Sequence, residues 1–397
     1  MVGRQIVQSA GLAALLFATA SQVQAQPNFK VGGREVDVHG FFQQGFVYSS
    51  GNNFLTMASD DGSAKMTDGG VNVSTKLTDK LRVGTQLYTR SIGQFGGGHV
   101  ELDWAFADYR VNEWLGFRGG KVKTSLGLIN DTQDMEFLHT WALLPQSVYP
   151  LDLRSVTIAH TGGDVYGTLA SKKAGSLAYT AYYGTFPDDK QGGYRYGIED
   201  IGLGISGPIK RNGGGFDLRW TAPLEGLQLG YSLLDTKGVL NLSIPGLPFI
   251  SHTDLDPWQQ QAVYGDFQKS NWHFSGEFRR QHVATRAYPA LGPGIDQVSA
   301  GWFLAAAYRI ARPVEVGAYY SHFVTNTALD AGAPSNHIYE PVITGRFDVN
   351  KYVSIKVEGH FVDGYGSQTS PHSFYVRDNQ TFANTTNMLV LRTAFSF

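Results

Sequence analysis

Three acidic residues lie close together in a connection that runs from about residue 125 to residue 155: Asp131, Asp134 and Glu136. The middle of the same connection is unusually apolar, with Phe137, Leu138, Trp141, Leu143 and Leu144. A loop surrounded by water gains nothing from such side chains, so we expect this one to pack them against an inner wall. The carboxylates would then point into an enclosed, wet space. The alternative is a surface loop or subunit-contact loop whose acids are merely solvated.

Seven basic residues could stand opposite these acids. They occupy the polar sides of alternating segments or the entrance to the long connection: Arg82, Arg90, Arg118, Lys121, Lys123, Lys356 and Arg392. Rows of opposite charge across a watery passage set up a transverse field that biases the passage of ions. For each single cation, an ion pair that braces neighbouring strands is an equal alternative.

The chain offers little to catalysis or to metal binding. It has 11 histidines, but no G-x-S-x-G nucleophile motif and no H-E-x-x-H zinc motif. It has no cysteine, which excludes disulfides, cysteine-zinc sites and a thiol nucleophile. The net charge of −2 gives no sign of the basic surface that nucleic-acid binding needs. We therefore expect no enzyme, no metal site, no cofactor and no nucleic-acid partner.

The first 25 residues have the three regions of a signal peptide. Arg4 supplies the positive charge, residues 10–20 form a short apolar stretch, and Val23-Gln24-Ala25 forms a small-x-small cleavage site before Gln26. The apolar stretch is too short to span a bilayer. The sequence therefore predicts an exported chain in which residues 26–397 form a single domain.

From Glu35 onward the dominant pattern has a period of two, which is typical of strands with two different faces. The closing segment shows it most clearly, with Leu389, Leu391, Thr393, Phe395 and Phe397 on one face and Val390, Arg392 and Ala394 on the other. The apolar faces are rich in Trp, Phe and Leu, and the polar faces carry long charged side chains of both signs. This combination predicts strands with lipid outside and water inside, which must close into a barrel because every backbone group in lipid needs a partner.

Short polar or proline-bearing breaks between the alternating segments give the number of strands. Seven such breaks occur, at residues 78–80, 111–113, 171–173, 222–225, 269–271, 311–313 and 349–351. Seven short turns join eight hairpins, so we predict a transmembrane antiparallel barrel of about 16 strands, with 14 or 18 left open. Four stretches rich in Gly, Pro, Asn, Asp and Ser are predicted as long extracellular loops: 51–69, 187–215, 239–257 and 364–386.

Aromatic residues near strand ends predict the two girdles of a membrane barrel. They are Trp104, Trp114, Trp220, Trp272, Trp302, Tyr308 and Tyr320. The terminal Phe397, in register with the apolar face of the last strand, resembles the recognition signal of the machinery that assembles outer-membrane barrels. Together with the signal peptide, these features predict the outer membrane of a Gram-negative bacterium, with its lipid and that machinery as partners.

Residues 114–166 resemble the bacterial porins related to the phosphate-selective porin O and P family. In that family a strand ending in the pattern Gly-Lys/Arg-x-x-x-x-x-Gly-Leu, here Gly120-Lys121 to Gly127-Leu128, leads into a third loop folded into the barrel. The resemblance implies a 16-stranded, trimeric barrel with a constriction at this loop. Phosphate-selective members carry arginines and lysines at the constriction, whereas residues 131–136 here are acidic. The sequence therefore does not predict phosphate selectivity.

The function that these patterns favour is passive diffusion of small polar or charged solutes and ions through a porin with a charged constriction. One alternative is a channel specific for a carboxylate, an aromatic compound or a sugar. Another is a plugged barrel that acts as a surface receptor or adhesin.

Overall fold

The computed structural model describes residues 29–246, 248, 250–288, 294–366 and 373–397. The predicted signal peptide, residues 1–25, lies outside them. Within the described ranges the long strands are β2 (Arg34–Ser50), β3 (Ser63–Lys76), β4 (Leu81–Ile92), β5 (Val100–Asn112), β6 (Leu115–Lys123), β7 (Ala159–Ser171), β8 (Gly175–Phe186), β10 (Lys210–Thr221), β11 (Leu227–Ser243), β12 (Ile250–Lys269), β13 (Trp272–Tyr288), β14 (Asp296–Ala311), β15 (Val314–Val324), β16 (His337–Asp348), β17 (Val353–Asp363) and β18 (Thr385–Ser396).

The remaining elements are short. They are the strands β1 (Phe29–Val31) and β9 (Gly204–Ile205), the helices α1 (Arg154–Thr157) and α2 (Gly193–Asp200), and 3-10 turns at Glu136–Leu138, Leu151–Leu153 and Val376–Asp378. In the part of the chain that is described, no helix has the length and apolar content needed to cross a membrane.

Each long strand pairs antiparallel with its neighbours, and the sheet closes on itself. The last strand, β18, pairs with β2 from Asn387 opposite Ser50 to Ser396 opposite Phe41. Strand β8 pairs with β10, and the two-residue β9 pairs with the end of β11 at Leu242 and Ser243. The described residues therefore form a closed antiparallel barrel of 16 strands, which confirms the predicted fold class.

All seven short breaks are turns between consecutive strands, and the long connections lie at the opposite end of the barrel. All four long-loop predictions were too wide, because β3 begins at Ser63, β10 at Lys210 and β18 at Thr385. Residues 239–257 were expected to be a loop, yet β11 continues to Ser243 and β12 begins at Ile250. The glycines at residues 213–215, expected in a loop, lie in β10. Because they have no side chains, neighbouring groups can approach their backbone closely: the side chain of Tyr182 and the carbonyl of Leu233 lie against Gly215. Composition alone could not distinguish such glycines from loop glycines.

The two faces of the strands are arranged as predicted. Leu389 and Leu391 are 49% and 42% exposed on the outer surface, whereas Lys356 and Arg392 are 1% and 4% exposed on the lumen side. The prediction for Trp104 was wrong. A bulge between Gln86 and Leu87 shifts the register of β4 and β5, and Trp104 lies buried on the lumen side, stacked on Phe106 at 5.2 Å. A simple period of two cannot show such a shift.

The end of the chain is built into the closure. The backbone of Phe397 exchanges hydrogen bonds with that of Gly40 at 3.0 and 3.1 Å, and its ring lies over the bare Cα of the glycine. This places the terminal aromatic residue at the seam of the barrel. Its role as an assembly signal stays a prediction.

Arginine in place of Leu391, in the middle of β18, should destabilise the barrel by about 2–4 kcal/mol, because the charge would face the centre of the bilayer. Equilibrium unfolding in guanidinium, followed by tryptophan fluorescence in lipid vesicles, measures this free energy. The matched control is Leu329→Arg, an exposed residue in a loop outside the barrel wall. Equal stability of the two variants would contradict the assignment of the outer face.

Candidate functional site

The third long connection, residues 124–158, runs from β6 to β7 and is called the third loop below. It does not project outward but packs against residues of the lumen face. Its Trp141 meets the ring of Tyr319 edge-on at 5.1 Å, and Tyr149 packs against Phe303. The apolar middle of the loop therefore covers the inner wall, as its composition predicts.

Two glycines allow the loop to approach the wall closely. Gly301 of β14 lies against the carbonyl of Ser147, and a Cβ atom at this position would collide with it. Gly127, at the start of the loop, has a positive φ of 70° and lies against the carboxylate of Glu277. Its backbone N–H donates to Ser232 at 2.9 Å. Small residues at these points set the depth of the loop in the lumen.

A first ionic tether surrounds Asp134. Its carboxylate forms an ion pair with Lys123 at the end of β6 and lies 3.6 Å from the guanidinium of Arg154. Both cations also approach Asp103 of β5, Arg154 at 3.0 Å and Lys123 at 3.9 Å. The amide of Gln86 donates to Asp134 at 2.8 Å and to Asp103 at 2.9 Å. Two cations thus compensate two buried carboxylates, which is the condition for burying such charges.

The electrostatic environment keeps Asp134 ionised. Burial alone would raise the pKa of this carboxyl, but the cations of Lys123 and Arg154 outweigh burial and lower the pKa to about 2. The pKa in the folded state is below the ordinary value of about 4, so the stabilisation is fully present above that pH. It is lost only as the pH falls through about 2. The tether therefore persists in neutral and mildly acidic solution.

A second tether surrounds Glu136. Lys356 of β17 lies 3.0 Å from one oxygen of this carboxylate, and Arg392 of β18 lies 3.1 Å from the other. Arg392 also pairs with Asp68 of β3 at 2.6 Å and donates to the side chain of Gln43 at 2.6 Å. One arginine from the closing strand therefore joins the third loop to the first two long strands of the barrel.

A third contact fixes the backbone of the loop. The carboxylate of Glu358 accepts the N–H groups of Ala142 at 2.7 Å and Leu143 at 3.0 Å. On its other side it contacts His360 at 3.1 Å, and this ring also lies 2.9 Å from Glu340. The loop is thus held by its main chain as well as by its side chains.

Three residues predicted for the site lie apart from these tethers. Asp131 forms no ion pair among the described residues and is only partly buried; its backbone carbonyl accepts from Lys123 at 3.0 Å. Arg82 is exposed near the short-turn end and donates to Ser74 at 2.9 Å. Lys121 donates to the carbonyl of Leu102 in β5. Neither of these two cations contacts the acids of the third loop in the described structure.

The other two predicted cations have partners of their own. Arg90 is buried and pairs with Asp189 in the loop after β8, which also accepts from Ser155 at 2.5 Å. Arg118 lies 3.5 Å from Asp108 and 3.8 Å from Asp164, on the adjacent strands β5 and β7. Arg118 thus has the bracing role that was the alternative for each wall cation.

Sequence reasoning missed several members of the tethers: Gln43, Asp68, Asp103, Arg154 and Glu358. Glu358 was detectable, because it shares the polar face of its strand with Lys356. Asp103 was hidden by the bulge in β5, and Arg154 belongs to the loop itself rather than to a strand. No group of three or more His, Cys, Asp or Glu side chains in the described ranges is arranged to hold a metal.

The geometry can be compared with that of known proteins. No protein-family model matches the chain, and no curated protein matches it. Solved structures do. OmpT of Vibrio cholerae has a TM-score of 0.58 at 11% sequence identity, and the alignment covers 94% of this chain and 100% of OmpT. The in-vitro folded trimer form of OmpT has a TM-score of 0.56 at 12% identity, and the alignment covers 91% of this chain and 99% of that one. OmpF of Salmonella typhi in complex with daunomycin has a TM-score of 0.57 at 11% identity, and the alignment covers 94% of this chain and 100% of that one. The anion-selective porin from Comamonas acidovorans has a TM-score of 0.53 at 12% identity, with 92% of this chain and 100% of that one covered.

The chain has the fold of an outer-membrane porin. At identities of 11–12% the likeness concerns the fold alone, and it extends over nearly the whole length of both chains. The closer relationship to the porin O and P family is not shown by these comparisons. In this porin fold the inward third loop and its tethers form the candidate site.

Methionine in place of Arg392 should loosen the third loop, because it leaves Asp68 and Glu136 short of a buried counter-charge. Breaking such a buried pair costs about 3–5 kcal/mol. Hydrogen exchange should show faster exchange in residues 134–143 of the variant. The matched control is Arg82→Met, which removes an arginine of the same wall that contacts Ser74 and no loop acid. Unchanged protection in Arg392→Met would mean that the tether does not hold the loop.

Proposed function

We propose that this protein is an outer-membrane diffusion channel for small polar and charged solutes and ions, with the third loop as its constriction. The observation that carries the proposal is the third loop inside the lumen, fixed by ion pairs with charges on β5, β6, β17 and β18. A loop that merely covered the mouth of the barrel would not need buried ion pairs with its wall. The apolar outer surface and the charged inner surface support a location in a membrane.

We propose a homotrimer in the outer membrane, reached with the help of the barrel assembly machinery. Support comes from OmpT of Vibrio cholerae, whose trimer form has the same fold. The resemblance of residues 114–166 to the porin O and P family adds to it, since that family is trimeric. Relationship to this particular family, and the export signal of residues 1–25, stay predictions from the sequence.

The tethers determine which charges a passing ion meets. Asp134 and Glu136 are compensated at short distance, so their fields fall off quickly. Asp131 has no ion pair among the described residues and stays partly exposed. We therefore assign the acidic character of the constriction chiefly to Asp131. Anion selectivity, which the name of the Comamonas acidovorans protein states for that porin, is not transferred to this chain.

Reconstituted in a planar bilayer in 1 M KCl, the protein should insert in current steps that close in three equal sublevels, one for each barrel of the trimer. The control is the same preparation heated until the barrel unfolds, which should give no steps. Folded protein that stays silent would contradict the channel and favour the plugged receptor or adhesin.

Asparagine in place of Asp131 should shift the reversal potential in a KCl gradient toward anions, because it removes the acid whose charge is least compensated. Neutralising Asp131, Asp134 and Glu136 together should shift it further, since Lys123, Lys356 and Arg392 then lose their counter-charges. The matched control is Asp61→Asn in the exposed loop after β2, which should leave the potential unchanged. If the triple variant also has the original potential, the loop is not at the constriction.

A further inference from the structure

Beside the third loop the lumen contains a cavity of about 450 Å³. Residues 147–157 of the loop border it on one side, and α2 and the strands β11–β14 border it on the others. This volume lies within the range of about 300–1,000 Å³ that small-molecule sites occupy. The cavity is therefore large enough to hold a solute as well as to let water through.

Much of the cavity wall is apolar, although it lies on the face where a barrel normally meets water. Leu240, Leu255 and Trp258 form a buried cluster on β11 and β12, and Tyr194 of α2 packs its ring 5.1 Å from that of Trp258. Val283 of the adjacent strand is only partly buried and borders the open space. Apolar surface facing water is unfavourable, so this wall favours a solute with an apolar body.

Among the buried cavity-lining atoms without a hydrogen-bond partner in the described structure, three can donate a hydrogen bond, and one, Oε1 of Gln260, can only accept. The indole Nε1 of Trp258 and the hydroxyl of Thr253 are buried and have no hydrogen-bond partner among the described residues. Trp258 is 5% exposed and Thr253 is 2% exposed. Buried polar atoms of this kind are normally satisfied, and an indole can only donate. A solute that accepts a hydrogen bond would satisfy the indole of Trp258.

The charged side chains that line the cavity also favour a solute that accepts hydrogen bonds. Among the described residues, two charged side chains line the cavity, those of Arg154 and Arg279. No carboxylate side chain of the described residues lines it. Their acidic partners, such as Glu277 at 2.8 Å from Arg279, lie behind the lining. Along β13, Arg279 lies nearer the short-turn end than Val283, so the arginine lies at the deeper end of the cavity.

We infer that this cavity is a binding site for a small aromatic monocarboxylate, which enters with its ring against Leu255 and Val283 and its carboxylate toward the indole of Trp258 and the deeper arginines. The inference rests on the proposed channel function and gives it a preferred solute. Charge-assisted hydrogen bonds stabilise the anion, and burial of the ring supplies the apolar part of the affinity. Asn130 and Gln133, on either side of Asp131 in the third loop, also line the cavity, so a bound solute would lie beside the proposed constriction, on the route of ions.

The test is the block of the KCl current by benzoate, with acetate and benzyl alcohol as probes that lack the ring or the charge. Benzoate should half-block the current at a concentration about 10-fold lower than either probe. In the double variant Leu255→Asn and Val283→Asn, which makes the wall against the ring polar, the half-blocking concentration of benzoate should rise about 10-fold. The matched control is Leu329→Asn in an exposed loop away from the cavity, which should behave as the original chain.

Three outcomes would overturn the site. They are equal block by acetate and benzoate, equal block by benzyl alcohol and benzoate, and a double variant that folds, as judged by its mobility in unheated gels, with unchanged block. Isothermal titration calorimetry with benzoate in detergent micelles separates the two proposals, because it needs no conduction. A silent channel that still binds benzoate overturns the diffusion function and keeps the site, whereas a conducting channel without benzoate binding does the reverse.

Discussion

The constraint on which the rest depends is that a backbone N–H or C=O group in lipid must find its partner within the protein. A sheet in a bilayer therefore has no free edge, and β18 pairs with β2 along almost its whole length. The chain ends at this seam, where the backbone of Phe397 bonds that of Gly40. Closure also fixes which face is which, since each strand must turn its apolar side to the lipid. The charged faces of the strands must therefore point into the lumen.

A ring of 16 strands is too wide for its own side chains to fill. The third loop occupies part of this space, and its position follows from the cost of burying charge. Lys356 and Arg392 could not lie buried on the lumen side without acids, and Glu136 could not leave water without cations. Loop and wall therefore stabilise each other. The apolar contact of Trp141 with Tyr319 adds to the attachment of the loop, but it does not by itself determine which loop residue pairs with which wall residue.

The sequence predicted the barrel because its main signals are local. Alternation needs two neighbours and a short turn needs three or four residues, and all seven turns were found this way. The inward position of the third loop also followed from its own apolar residues. The pairing inside the lumen was beyond this reasoning, because Arg392 and Glu136 meet across 256 positions of the chain. Trp104 failed for a related reason: one bulge reverses the face of every residue that follows it, and a bulge leaves no trace in composition.

The ion pairs change what a charged constriction means in this barrel. The sequence favoured two separate rows of charge with a field across the water between them. In the structure Asp134 and Glu136 instead touch cations of the wall, so most of that field is confined to the contacts themselves. In the proposed channel, a passing solute would respond to the charges that the tethers leave uncompensated and to the surface beside them. On that surface the arginines face open space while their acids lie behind, and leucine and tryptophan stand where water would be expected. In the proposed channel, selectivity would depend on the shape and polarity of the solute as much as on its charge.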